Sequence, residues 1–154
     1  MLEPGELLPE LILQDETGAE RRFADLARKK GLVIYLYPKD NTPGCTLEGQ
    51  EFTALLPRFR RLGYEVVGLS KDSVASHCHF VEKQGLGVTL LSDPDGAFIQ
   101  GIGAWGEKKM RGKSYQGILR TTVVVGADGR VLKVYPGVKA AGHAEAVLAD
   151  LRAL

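Results

Sequence analysis

Cysteine is scarce in this sequence: its 154 residues hold two, Cys45 and Cys78. Two are too few for a disulfide-stapled secreted scaffold. They also exclude a zinc site of four cysteines, or of three cysteines and a histidine. A site of two cysteines and two histidines would consume both, with two of His77, His79 and His143. Neither sign of charge is in excess, with 20 basic and 19 acidic side chains and a net charge of +1. Without a basic surplus there is no electrostatic hold on nucleic acid or an anionic membrane, so neither is expected as a partner. Long apolar runs are missing too. Those at 32–37 and 123–125 fall far short of the ~20 residues that span a bilayer. The opening MLEPGELLPELIL carries Glu3, Pro4, Glu6 and Pro9 with no early Lys or Arg, unlike a secretory signal. A cytoplasmic protein with both cysteines resting as thiols is expected, and any disulfide there is catalytic rather than structural.

What is present fits one globular domain over 1–154. Hydrophobic residues make up 44% and charged residues 25%, near the globular average. A chain this long buries roughly two thirds of its unfolded surface and needs no metal or disulfide to fold. No repeat, linker or low-complexity block divides it.

Segments 11–14 and 20–23 flank Asp15-Glu16-Thr17-Gly18 and predict a small N-terminal β-hairpin. A short helix is expected at 24–30. The run 31–37 is continuously apolar and β-rich, which marks a buried central strand. From Cys45, the residues Leu47, Phe52, Leu55, Leu56, Phe59 and Leu62 recur at helical steps. Further strands are expected at 64–70 and 87–91. Between them lies a helix capped by Asp72 or Ser73 and stopped by Gly85. Segments 118–125 and 130–134 flank Gly126-Ala-Asp-Gly129 as a hairpin, and 142–154 is an amphipathic helix. This order predicts an α/β fold, a thioredoxin-like α/β/α sandwich with a central mixed sheet. A flavodoxin-like sheet is the competitor, and the late hairpin argues against it.

The stretch Tyr37-Pro-Lys-Asp-Asn-Thr-Pro-Gly-Cys-Thr-Leu-Glu48 leaves a core strand and enters a helix. Carboxyl ends of strands are where open α/β sheets build sites. Cys45 falls in the first helical turn, where free N–H groups and the positive dipole end stabilise a negative sulfur. The thiolate is the nucleophile, so the position predicts reactivity. Thr42 can donate its hydroxyl to the sulfur or to a bound oxygen. Pro38 can form an apolar wall, while Pro43 and Gly44 set the tight helix entry. The bland reading of Cys45 is a buried small apolar residue.

The string Pro38-x-x-x-Thr42-x-x-Cys45 resembles the active-site signature of peroxiredoxins, and its wider block resembles the bacterioferritin-comigratory, or Q-type, subfamily. Asp72-Ser-Val-Ala-Ser-His77, Leu90-Leu-Ser-Asp-Pro-Asp95, Trp105-Gly-Glu-Lys-Lys109 and Arg120-Thr-Thr extend the resemblance along nearly the whole chain. It implies a thioredoxin fold and thiol-dependent reduction of hydrogen peroxide and organic hydroperoxides. No metal, flavin or haem cofactor is implied, and electrons come from thioredoxin or a similar dithiol. Members are monomers or dimers. The resemblance also implies catalytic roles for Pro38, Thr42, Cys45 and Arg120, with Glu48 orienting the arginine. Read alone, Arg120 is a surface charge.

Many members of the subfamily carry a resolving cysteine five residues after the first, and here that position is Gln50. Others place it on the next helix, near Val81 in this chain. Cys78 stands three residues earlier, nearly one helical turn. The expectation is that Cys78 resolves Cys45 through an intramolecular disulfide after local unwinding. The alternative is an unreactive Cys78 and reduction by an external thiol. Competing functions are a glutathione-peroxidase-like enzyme and a redox-sensing or holdase-type binding protein.

Other signals carry less. Gly101-Ile-Gly-Ala-Trp-Gly106 matches a dinucleotide fingerprint but follows no strand directly. His77-Cys78-His79 reads as helix surface, since adjacent helical residues point about 100° apart. Asp93-Pro-Asp-Gly96 reads as a turn, and Lys108, Lys109, Arg111 and Lys113 as a solvated basic loop.

Overall fold

The computed structural model describes residues 1–154. Its centre is the apolar run of β3 (Gly31–Leu36), buried at every residue. β3 pairs in parallel with β4 (Tyr64–Ser70), and β4 in parallel with β5 (Thr89–Ser92). On its other side β3 pairs antiparallel with β8 (Thr121–Gly126), and β8 with β9 (Val131–Tyr135). The N-terminal hairpin, β1 (Ile12–Gln14) and β2 (Glu20–Arg22), adds antiparallel to β5. The result is one seven-stranded mixed sheet in the order β2-β1-β5-β4-β3-β8-β9.

Alternate residues of β3 point to opposite faces of the sheet. Val33 and Tyr35, with Tyr37 beyond the strand, share one core with Phe52 and Phe59 of α2 (Pro43–Arg61). Phe80 of α3 (Val74–Gln84) and Val147 and Leu148 of α5 (His143–Arg152) complete that side. Leu32, Ile34 and Leu36 share the other core with Leu26 of α1 (Phe23–Leu26) and Ile99 of α4 (Ala97–Ile102). Each such large apolar side chain contributes about 1.5–3 kcal/mol on burial, so two cores replace any covalent staple. Helices cover both faces, which is the thioredoxin-like sandwich implied by the element order. No helix is long and apolar enough to cross a membrane.

Several local expectations hold. Ser73 caps α3, its Oγ accepting from the Ser76 N–H at 3.1 Å, and Gly85 ends that helix at φ +64°. Others differ for tertiary reasons. The helix expected at 24–30 stops at Leu26, because Ala27 is extended (φ −65°, ψ 140°) and the Lys30 N–H is already bonded to the Gly63 carbonyl on entry to the sheet. The 93–96 turn does form, the Gly96 N–H donating to the Asp93 carbonyl at 3.0 Å, and it also opens α4: Asp93 Oδ2 accepts from the Ile99 N–H and Asp95 Oδ1 from the Ala97 N–H, each at 2.9 Å. The basic stretch is no loop. It forms a hairpin of β6 (Trp105–Met110) and β7 (Lys113–Ile118), closed through positive φ at Arg111 and Gly112. Its strand pattern is hidden because charges occupy both faces. The run expected at 118–125 is therefore two strands, with Leu119 and Arg120 between them.

Candidate active site

The parallel registers bring the carboxyl ends of β3, β4 and β5 to one edge of the sheet. There Thr42 is the N-cap of α2 (φ −86°, ψ 154°), and Pro43 takes the first helical position, where its missing N–H costs nothing. Cys45 follows in the first turn and is 1% exposed. The Thr46 N–H makes the first bond of the helix, to the Thr42 carbonyl at 2.9 Å. The earlier N–H groups of Gly44 and Cys45 have no acceptor in the helix, so they put partial positive charge at the turn that carries the sulfur.

Arg120 arrives through the sheet. The β3–β8 register pairs Leu36 with Thr121, which sets Arg120 beside the residues that follow β3. Its carbonyl accepts from the Val138 N–H at 2.9 Å, holding the backbone in place. Its guanidinium forks between two acceptors: Nη2 donates to Cys45 Sγ at 3.4 Å and Nη1 to Glu48 Oε1 at 2.6 Å. Glu48 lies on the same helical face as Cys45, three residues on. Gly44 makes room for this approach, since a Cβ there would sit 3.1 Å from Arg120 Nη2.

Burial and charge oppose each other here. Burial favours loss of the Arg120 proton, but Glu48 and Cys45 outweigh it and hold the group above the ordinary arginine value. Glu48 is fully buried, and its Oε2 has no hydrogen-bond partner. Burial therefore pushes its carboxyl from 4.5 up to about 7, despite Arg120. The buried Tyr35 hydroxyl also lacks a partner. Burial first, then the charge of Glu48, raises it well above the ordinary tyrosine value, so it stays protonated. Tyr35 is held against β4 by Gly68, where a Cβ would fall 2.7 Å from the ring.

The Glu48 shift has a stability consequence. The folded state takes up a proton that the unfolded state releases, so this stabilisation is full below pH 4.5 and is lost as pH rises through about 7. Glu48→Gln has no such loss. Urea unfolding from pH 5 to 8 is expected to show the variant gaining stability relative to the parent as pH rises. Parallel curves would contradict the assignment.

The site gathers Cys45, Arg120 and Glu48 into one bonded chain, with half-buried Thr42 and Pro38 beside it in sequence. Thr42 is not bonded to sulfur: its hydroxyl donates to the Lys39 carbonyl at 2.7 Å, a stronger acceptor three residues back. What it offers an incoming molecule is lone pairs. Cys78 stands apart, exposed on α3 with its Sγ 3.8 Å from Glu82 Oε1, and both cysteines are free thiols. The α3 side chains that enter the core with Cys45 are Phe80 and Val81.

Lys108 belongs to this neighbourhood, not to a solvated loop. Its ammonium donates to the Ile118 carbonyl at 2.9 Å. Burial and the Arg120 charge lower its pKa, while the Cys45 charge opposes that. His77 is not helix surface but fully buried. His143 is also buried, sharing a hydrogen bond of 2.7 Å with Thr122. Burial, then Arg120, lowers its pKa to about 4 and keeps it neutral. No local signal marks these three, because their burial depends on which strands and helices meet.

The chain matches the AhpC/TSA family over residues 4–134. It is 50% identical over 122 residues to Peroxiredoxin Bcp of Xanthomonas campestris pv. campestris, covering 79% of this chain and 76% of that one. A solved structure of the Xanthomonas campestris bacterioferritin comigratory protein, described for its alkyl peroxide reduction activity, superimposes with a TM-score of 0.85 at 45% identity, over 93% of this chain and 90% of that one. A mutant of Xylella fastidiosa PrxQ superimposes with a TM-score of 0.91 at 37% identity, over 99% and 97%. The chain therefore belongs to the AhpC/TSA family and, within it, to the Bcp or Q-type peroxiredoxins, which are thiol-dependent peroxidases.

Proposed function

We propose that Cys45 is the peroxidatic nucleophile, reducing hydrogen peroxide and organic hydroperoxides through a sulfenic acid. The observation that carries this reading is the guanidinium of Arg120 forked between Cys45 Sγ and Glu48. The Cys45 thiolate attacks one peroxide oxygen, the S–O bond forms and the O–O bond breaks. The other oxygen leaves as hydroxide or alkoxide and takes up a proton. Negative charge spreads over sulfur and both oxygens, and Arg120 with the free N–H groups of the first turn stabilises it. Thr42, its own proton committed to Lys39, accepts the hydrogen of the hydroperoxide. Pro38 borders the site and limits water. Glu48 aims the guanidinium, and Lys108 adds positive charge.

The alkyl peroxide reduction described for the Xanthomonas protein supports extending the substrate class to organic hydroperoxides. An apolar tail has a place to lie on the β6–β7 hairpin. Lys108 and Tyr115 are cross-strand partners there, and Met110 lies two residues beyond Lys108 on the same face. Met110 and Tyr115 are exposed, and with Arg111 and Lys113 they line an open cleft of about 480 Å³ at the tip of the hairpin.

For the second half of the cycle we assign Cys78 as the resolving thiol. Its thiolate displaces the sulfenic oxygen as water and forms the Cys45–Cys78 disulfide, which thioredoxin or a similar dithiol then reduces. A buried Cys45 and an exposed Cys78 require local unwinding of both helices. The cycle needs a thiol-reducing compartment, which favours the cytoplasm. One equivalent of hydrogen peroxide, followed by peptide mapping without reductant, is expected to give a single Cys45–Cys78 link. A trappable Cys45 sulfenic acid with Cys78 still free would instead establish a one-cysteine cycle.

A further inference from the structure

A second buried polar cluster joins the two segments that carry the cysteines. Asp40 lies in the loop that leads to Cys45, and His77 immediately precedes Cys78. Their side chains are 2% and 0% exposed, and Asp40 Oδ2 stands 2.7 Å from His77 Nδ1. On the other side of the ring, His77 Nε2 meets the Leu91 carbonyl of β5 at 2.9 Å. Asp40 also accepts from the Tyr37 hydroxyl at 2.6 Å and from Ser76 Oγ at 2.8 Å. Its own N–H donates to Asp72 Oδ2 at 3.0 Å. The active-site loop, the start of α3 and β5 are thus tied through one imidazole.

Both partners of that ring are acceptors, a carboxylate and a carbonyl. The ring is therefore held from both sides, through Nδ1 by Asp40 and through Nε2 by β5. The groups facing it are Tyr37 and Asp40 from the loop after β3, Asp72 from the loop before α3, and the Leu91 carbonyl from β5. Burial opposes the charge on Asp40, but His77, Tyr37 and Ser76 outweigh it and hold its carboxyl below the ordinary value. A buried hydrogen-bonded pair of this kind is costly to break from one side, because the partner left behind is unsatisfied.

We propose that the Asp40–His77 pair is a latch that sets how readily the Cys45 turn and α3 open for disulfide formation, which makes His77 a positioning residue for resolution. This rests on Cys78 being the resolving thiol. Cys78 points about 100° around the helix from His77. Unwinding α3 far enough to turn Cys78 toward Cys45 must carry His77 out of both of its hydrogen bonds. While the latch holds, the sulfenic acid stays in the folded site. A second hydroperoxide can then add an oxygen to that sulfur, with cleavage of its O–O bond and release of water or alcohol, to give the sulfinic acid. The latch thus sets the partition of Cys45 between disulfide and sulfinic acid.

His77→Gln keeps a donor for one acceptor and loses the other. With excess hydrogen peroxide, its ratio of disulfide to sulfinic acid by intact mass and peptide mapping is expected to rise about tenfold over the parent. Hydrogen exchange of the reduced protein is expected to quicken together at 38–47 and 73–84, and Asp40→Asn should do the same. An unchanged or lower ratio, or faster exchange in only one of the two segments, overturns the latch. Failure of the resolver reading is seen separately, as the absence of a Cys45–Cys78 link in the parent, and exchange in the reduced protein then judges the latch.

Discussion

Replacing Cys45 by serine is expected to lower peroxide turnover at least about 10⁴-fold while leaving the fold intact. A hydroxyl is a far weaker nucleophile than a thiolate, and the side chain bonded to Cys45 Sγ is Arg120, which is no general base. Arg120 gives up no proton, because Glu48 and Cys45 more than offset its burial. The serine hydroxyl would sit where Sγ now accepts from Arg120 Nη2, so it would be a bonded polar group with a stability change of about 1 kcal/mol. Peroxide consumption with a dithiol reductant, together with thermal unfolding, measures both. Cys78→Ser gives the contrast: it should still consume one peroxide per chain in the first turnover. A protein that served only as a redox-sensing or holdase partner would bind its target with no turnover in the parent. Retained turnover in Cys45→Ser would sink the proposed chemistry.

Arg120→Met is expected to lower the second-order rate with hydroperoxide about 10²–10³-fold, the usual scale for losing one preorganised donor at a developing negative charge. It also strands Glu48. Removing one partner of a buried ion pair costs about 3–5 kcal/mol when the other must stay charged. Glu48 has an escape, because its carboxyl is already raised to about 7 and takes up a proton. The stability loss in Arg120→Met should therefore be larger at pH 8 than at pH 6. Adding Glu48→Gln should recover most of the stability at pH 8 and little of the rate. Stopped-flow kinetics and urea unfolding at the two pH values separate these effects. A rate loss under about threefold in Arg120→Met would remove the arginine from the mechanism.

The parts of the site that could be read along the chain are those made by neighbours in sequence. Cys45 sits in a helical first turn because Thr42, Pro43 and Gly44 precede it, and those residues alone dictate a helix start. The buried central strand is legible because six consecutive residues, Gly31–Leu36, carry no charge. The N-terminal hairpin, the Ser73 cap and the Gly85 stop are local for the same reason. The β6–β7 hairpin was hidden because its strands carry charge on both faces, so no period of two stands out. The 93–96 turn is likewise legible from its own four residues, whereas the part that Asp93 and Asp95 play at the start of α4 shows only in the residues that follow.

The sequence by itself determined the α/β order, the scarcity that singled out two thiols, and the helix terminus that carries one of them. Only the tertiary structure decided what meets that thiol. The β3–β8 register carries Arg120 across 75 residues to the sulfur, and a slip of one residue would turn it to the other face. The packing of α3 decided that His77 is buried against Asp40 while its neighbour Cys78 faces out. The physical reason is the same in each case. Backbone dihedrals and hydrogen bonds within a turn are set by adjacent residues, whereas burial, ion pairing and the protonation state of a carboxyl are set by whatever the fold brings alongside.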